Sequence, residues 1–251
     1  MPEKHLYGSV LLKAKDILDF IASASSAPDL KEISANVSIS KPTVLKILQT
    51  LEYCDFVRSL GTTKRYYLGT VFLRYGDQVT QNFSVVKIAM PFLNKLRDLT
   101  TEAVNLGEVD NNKIVLLSRA KSTNSIRFDL ELGGTMDMYC SAMGKAVLSN
   151  YSQEKLETYL SHTELKKKTA NTISDRNKLR DNILDSGKAG YAIDNIENQD
   201  GVYCIGFPLV KDNQIFGAFS ISAPSFRITE EKKKDWIEYG LETKAQIIKE
   251  I

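Results

Sequence analysis

Residues 29 to 69 read DLKEISANVSISKPTVLKILQTLEYCDFVRSLGTTKRYYLG, and the spacing of apolar side chains within them decides the fold of the N-terminal part. Leu30, Ile33 and Val37 recur at helical spacing, and after a short interruption Val44, Ile47, Leu48 and Leu51 do the same. Two helices are predicted, each with one buried face. Ser38-Ile39-Ser40 between them leaves room only for a sharp turn. Pro42 suits the first turn of the second helix, where a missing N–H costs nothing, with Ser40 or Lys41 just ahead of it. FVRSLGTTKRYYLG then alternates about Gly61-Thr62-Thr63, the pattern of a hairpin. Helix, turn, helix and basic hairpin in that order make a winged helix-turn-helix.

Such a module reads DNA with the outer face of its second helix. Here that face carries Lys41, Thr43, Lys46, Gln49 and Thr50, with Ser40 at its start, all side chains that can hydrogen-bond base edges in a major groove. Arg58, Lys64 and Arg65 on the hairpin are placed to meet phosphates. An ordinary helical hairpin with a solvated polar face is the plainer alternative, and the combination of helices with a basic hairpin speaks against it. From Ser38 to Tyr66 the basic residues Lys41, Lys46, Arg58, Lys64 and Arg65 stand against Glu52 and Asp55, a modest excess. Useful affinity then requires two copies acting together on double-stranded DNA, and a two-fold protein implies a palindromic operator.

The chain has 251 residues, 43% apolar and 25% charged, with a net charge of +2. That is too long for one winged helix, so a second packed domain is expected. MPEKHLYGSVLLKAKDILDF scatters charges through its apolar positions and reads as an amphipathic helix capped by Ser9 rather than a signal peptide. No stretch is long and apolar enough to span a membrane. Cys54, Cys140 and Cys204 are odd in number and widely spaced, which suits a reducing cytoplasm and offers neither a disulfide framework nor a zinc site. No cofactor or metal is expected.

Helices are predicted over about 70 to 82 and 84 to 101, a connector in which Ile88, Phe92, Leu96 and Leu99 form an apolar stripe. Strands follow at AVNLGEV, KIVLLSR and SIRFDL. Helices are expected from Ser141, from Ser152 and from Ser174 to Asp185, the last stopped by Gly187. Strands return around Tyr191 to Asp194, Val202 to Val210 and Ile215 to Ala223, before a closing helix from Thr229. Long strands with grouped helices indicate an α+β fold rather than a doubly wound one. The expected domains are 1–70, a winged helix; 71–101, a helical linker; and 102–251, a second α/β domain.

GGTMDMYCSAMGKAVLS at 133–149 resembles the Gly…(Ser/Ala)…Gly-Lys-Ala segment of the IclR family of bacterial transcriptional regulators. GYAIDNIENQDGVYCIGFPLV at 190–210, followed by FGAFSISAP, resembles that family's late strands, and the winged helix comes first there too. The resemblance runs from about Tyr7 to Ile251. It implies a GAF-like C-terminal domain with an antiparallel sheet that binds a small organic-acid effector, and a homodimer or dimer of dimers. Carried over residue by residue, the effector contacts fall on the backbone of Ala142 and Met143 and on the side chains of Asp194, Cys204, Ser220 and Ser222. Met143 stands where the family often has a smaller residue, which leaves the pocket's size open.

The residues themselves are compatible with this. The helix start at Ser141 offers free N–H groups and a positive dipole end to a carboxylate. It is not a phosphate-binding P-loop, because Tyr139 and Ala146 stand where Gly and Ser or Thr are required. Ser220 and Ser222, two apart on one strand, share a face. Taken alone, Cys204 is as well read as a small buried hydrophobe, the serines as satisfied strand hydroxyls, and Asp194 as a turn cap. Lys166-Lys167-Lys168 reads as a solvated loop. The expected function is a DNA-binding regulator, a repressor in the first instance, controlled by a small carboxylate. The alternatives are a sensor acting through a protein partner, or an enzyme with Cys204 as nucleophile and Asp194 as orienting acid. The enzyme lacks a base, since His5 lies in the N-terminal tail and His162 in the polar SHTELKKK stretch, so no catalytic residue is expected.

Overall fold

The computed structural model describes residues 8–60, 64–82, 84–126 and 130–251. The chain divides into two compact units, Met1–Asn82 and Phe83–Ile251.

The first unit is a winged helix. Helices α1 (Ser9–Ser23), α2 (Leu30–Asn36) and α3 (Lys41–Tyr53) precede a hairpin of β1 (Val57–Leu60) and β2 (Arg65–Leu68), and α4 (Val71–Asn82) follows. Ile33, Val44, Ile47, Leu48, Leu51, Val57 and Tyr66 close one core with Ile17 and Ile21 of α1. Asp29 caps α2 in a reciprocal box with Glu32, the arrangement that satisfies orphan N–H groups at both ends of the first turn. Helix α1 departs from expectation. Gly8, at φ 83°, is its cap, and Ser9 is already helical without a capping bond. The hairpin turn expected at Gly61-Thr62-Thr63 lies outside the described residues.

The second unit is an α+β fold. Helix α5 (Ser84–Thr100) leads into β3 (Ala103–Asp110), β4 (Lys113–Ala120) and β5 (Thr135–Asp137). Helices α6 (Ala142–Leu148), α7 (Gln153–His162) and α8 (Arg176–Ala189) come next, then β6 (Ala192–Asn195), β7 (Val202–Lys211), β8 (Gln214–Pro224) and α9 (Glu230–Glu250). The strands form one six-stranded sheet in the order β5-β4-β3-β8-β7-β6, antiparallel at every pairing. Two-residue turns at Asn111-Asn112 and Asp212-Asn213, all at positive φ, match the right-handed twist of the hairpins they join. One sheet face, with Leu106, Ile205, Phe207, Phe219 and Ile221, packs against α5 and α9. The other end of the core gathers α6, α7 and α8 around Met138, Tyr139, Val147, Leu160 and Ile183.

Several local expectations need correction. Helix α8 runs through Gly187 to Ala189 and ends at Gly190, whose φ of 81° makes it the left-handed cap. Gly187 instead allows close packing: a Cβ there would lie 3.2 Å from the Ser149 carbonyl oxygen. In α5 the buried row is Val85, Ala89, Leu93 and Leu96, so Ile88 and Phe92 flank it, and Leu99 is exposed. Of the two connector helices, α4 falls in the first unit and α5 in the second. Strand β5 was not foreseen, and the strand expected at SIRFDL includes residues 127–129, outside those described.

Candidate functional site

On α3 the structure leaves Ser40, Lys41, Lys46 and Gln49 exposed and Thr43 half-buried, while Val44, Ile47 and Leu48 point inward. Pro42 sits in the first turn with Ser40 as the cap, and the Ser40 and Thr43 hydroxyls lie 2.9 Å apart. One end of α3 therefore presents a short polar surface with two ammonium groups. Arg58 and Lys64 are exposed on the hairpin, Arg58 with its guanidinium 5.6 Å from the centre of the Tyr67 ring. Arg65 differs. Its guanidinium donates to the Ala27 carbonyl at 2.7 Å and to the Glu32 carboxylate at 3.2 Å, and Glu32 also accepts from the Asp29 N–H in the α2 cap. Arg65 is thus first a strut between hairpin and α2.

The six residues singled out in the second unit, Ala142, Met143, Asp194, Cys204, Ser220 and Ser222, all border one cavity, with Ser141, Asn198 and Gln199 beside them and Leu130, Met136 and Val202 as apolar wall. Register explains the convergence. Cys204 pairs with both Ser222 and Asp194 across the sheet, and Gly206 pairs with Ser220, so these positions share one face. Helix α6 starts directly on that face. A Cβ on Gly206 would lie 2.4 Å from the Ala142 carbonyl atoms and 2.7 Å from the Met143 nitrogen. Only a glycine there lets the helix start approach the strand. Ser141 caps α6 and accepts from the Gly144 N–H. The cavity is narrow, with room for little more than a water-sized sphere, and Met143 is one of the side chains that narrow it.

Burial governs the charges. Asp194 is 3% exposed, and its carboxyl accepts from the Glu197 N–H at 2.6 Å and the Asn198 N–H at 3.3 Å. Burial, which disfavours a carboxylate, outweighs those donors and lifts its pKa to about 7. Burial also pushes the Cys204 thiol up, so the sulfur stays protonated and donates to Ser222 Oγ at 3.2 Å. A protonated thiol is a poor nucleophile, and no imidazole stands beside this one among the described residues. His162 is exposed on α7, against the Thr158 carbonyl and the Ser161 hydroxyl. Among the described residues no group of three or more His, Cys, Asp or Glu side chains is arranged to hold a metal ion.

Sequence reasoning did not single out Lys145, Glu197 or Asn105. Helix α6 is buried along its whole length, Lys145 included, and the Lys145 ammonium meets the Glu197 carboxylate at 2.5 Å. A cation on a helix buried all round needs such a partner; a lysine inside the Gly-Lys-Ala segment was the only cue. Glu197 follows Ile196, which is held at φ 60°, a conformation costly for a β-branched residue. The Thr169 hydroxyl donates to the Ile196 carbonyl and the Thr172 hydroxyl to the Glu197 carbonyl, both at 2.6 Å. Asp194, the ion pair and two threonines thus pin the loop that borders the cavity. The lysine run contributes too: Lys168 bonds the Asp137 carboxylate at 2.7 Å and Asn198 Oδ1 at 3.1 Å.

Among the described residues no helix is long and apolar enough to cross a membrane. Residues 10–61 match the model of the IclR helix-turn-helix domain, and residues 77–249 match that of the bacterial transcriptional regulator IclR C-terminal domain. The HTH-type transcriptional regulator KdgR of Dickeya chrysanthemi is 28% identical over 209 residues, covering 83% of this chain and 68% of that protein. The HTH-type transcriptional repressor AllR of Escherichia coli K12 is 27% identical over 217 residues, covering 86% and 80%. The crystal structure of the Thermotoga maritima IclR superposes with a TM-score of 0.85 at 31% identity, over 96% of this chain and 98% of that one. With both halves matched in order and the winged helix and antiparallel sheet in place, the chain belongs to the IclR family of DNA-binding transcriptional regulators.

Proposed function

We propose that this regulator is a repressor whose hold on a palindromic operator is set by a small organic acid bound in the second unit. The observation that carries the reading is the convergence of Ala142, Met143, Asp194, Cys204, Ser220 and Ser222 on one cavity. The N–H groups at the start of α6 suit an anionic oxygen, and the hydroxyls, thiol and carboxyl beside them suit the remaining polar atoms of a small molecule. The repressor sign follows relatives such as AllR. In the first unit, Ser40, Lys41, Thr43, Lys46 and Gln49 serve base edges, and Arg58, Lys64 and Arg65 serve phosphates. Two copies are required, and the exposed Val10, Leu11, Leu12, Leu73 and Tyr75 of α1 and α4 supply apolar surface for their association.

An effector controls DNA affinity only if the two ligands are reciprocally coupled, typically by about 1–3 kcal/mol. The test is calorimetry with a panel of keto, hydroxy and aromatic acids, with and without the protein's own upstream DNA. At least one acid should bind, and bind differently when DNA is present. Equal affinity with and without DNA removes the switch, and undiminished binding by an Asp194→Ala, Ser222→Ala double variant moves the site elsewhere.

A further inference from the structure

We propose that Asn105, a residue that does not border the cavity, fixes Ser222 as a hydrogen-bond donor, so that the ligand must offer an acceptor oxygen to the Ser220–Ser222 wall. This rests on the small-acid reading of the cavity and adds to it the polarity of one wall. Asn105 lies on β3 opposite Ser220 in register, 1% exposed, and its amide Nδ2 donates to Ser222 Oγ at 3.0 Å. A serine hydroxyl carries one proton and two acceptor lone pairs. The Cys204 thiol donates to the same oxygen at 3.2 Å. With both lone pairs engaged, the single Ser222 proton has two ways out: into the cavity, or to Ser220 Oγ at 3.4 Å. In the second case Ser220 passes its own proton to the cavity. Either way the order of protons runs outward from Asn105, and the wall donates.

The wall donates only while the Asn105 amide keeps this orientation. Asn105 Oδ1 is buried with no partner. As placed, the amide leaves Oδ1 and one N–H without a partner; turned round, it would leave both N–H groups without the Ser222 bond and take the Ser222 proton for its oxygen. At the far side of the cavity Asp194 already receives two N–H groups on one oxygen. With Asp194 engaged by backbone donors, the serine wall sets the choice: an acceptor with no proton of its own to place, a carbonyl before a hydroxyl, fits there.

The first experiment needs no ligand. In the 15N-labelled full chain, the Asn105 side-chain amide pair is identified by its loss in Asn105→Asp, or in Asn105→Ala should the aspartate variant not fold. Ser222→Ala should move one of its two proton resonances upfield; if neither moves, Asn105 does not donate to Ser222 and the proposal falls. The second experiment compares pyruvate with lactate, which differ by a carbonyl against a hydroxyl. The native protein should prefer pyruvate. Asn105→Asp, which takes the Ser222 proton for itself, should reduce the pyruvate-to-lactate affinity ratio about tenfold, the worth of one hydrogen bond. An unchanged ratio makes Asn105 structural only. If neither acid binds the native protein, the small-acid reading loses support, and the amide resonances still decide the Asn105 arrangement.

Discussion

Asp194 shows most clearly what a single residue's surroundings decide. Its folded pKa of about 7 stands above the ordinary 3.8 because burial disfavours the charge. A carboxyl whose folded pKa is raised adds stability that is fully present below the unfolded pKa and lost as pH rises through the folded one. The protein should therefore lose stability between about pH 4 and pH 7 on account of this group. Asp194→Asn keeps an oxygen for the Glu197 and Asn198 N–H groups and removes the charge. Its melting temperature should exceed that of the native protein by several degrees at pH 8 and by much less at pH 5, read by thermal-shift melts; a constant difference would show that the carboxyl does not titrate in this range. Legibility at this scale was uneven. Ala142, Met143, Asp194, Cys204, Ser220 and Ser222, which line one cavity, are singled out by a family pattern that spacing alone does not distinguish from satisfied strand residues. Asn105, Lys145 and Glu197 were missed because their roles depend on pairings 52 and 117 positions apart along the chain, which no local pattern reveals.

At the scale of elements, periodicity predicted most helices and strands, and errors arose where glycine had two meanings. Gly187 looked like a stop and is a packing site, while Gly190 is the stop. Gly206 was unremarkable in the sequence, yet it seats α6 on the sheet. Gly206→Ala should force the α6 start away from β7, lower the melting temperature by several degrees, and abolish binding of any acid that occupies the cavity; wild-type behaviour in both measurements would mean the helix start yields without cost. The hairpin invites a similar separation of roles. Arg58→Ala and Lys64→Ala should weaken DNA binding and flatten its salt dependence without altering the melt. Arg65→Ala should do so while also lowering the melting temperature, because the Ala27 carbonyl and Glu32 lose their partner. Identical melts for all three variants would remove the strut assigned to Arg65. The expected α5 stripe shares Leu96 with the buried row, with Ile88 and Phe92 beside it and Leu99 outside, because helical spacing predicts an apolar face without saying which apolar side chains the sheet covers.

For the molecule as a whole, composition and the order of motifs foretold two domains with the winged helix first, and the matched residue ranges agree with that order. The two connector helices, expected at about 70 to 82 and 84 to 101, lie on either side of the division between the units at residues 82 and 83. The narrowness of the cavity has a consequence in time rather than in affinity. On the proposed reading, a space that holds little more than a water-sized sphere would admit an organic acid only after its walls part, with Met143 and the loop after Asp194 as the parts to give way. Entry then waits on an opening step, so stopped-flow traces should show an observed rate that levels off as acid concentration rises, where a preformed pocket would give a straight line. Exit passes through the same opened walls, so a slow opening step would slow release as well. Under the proposed control by a small acid, such a regulator would answer to a supply that lasts and let a brief pulse pass unread.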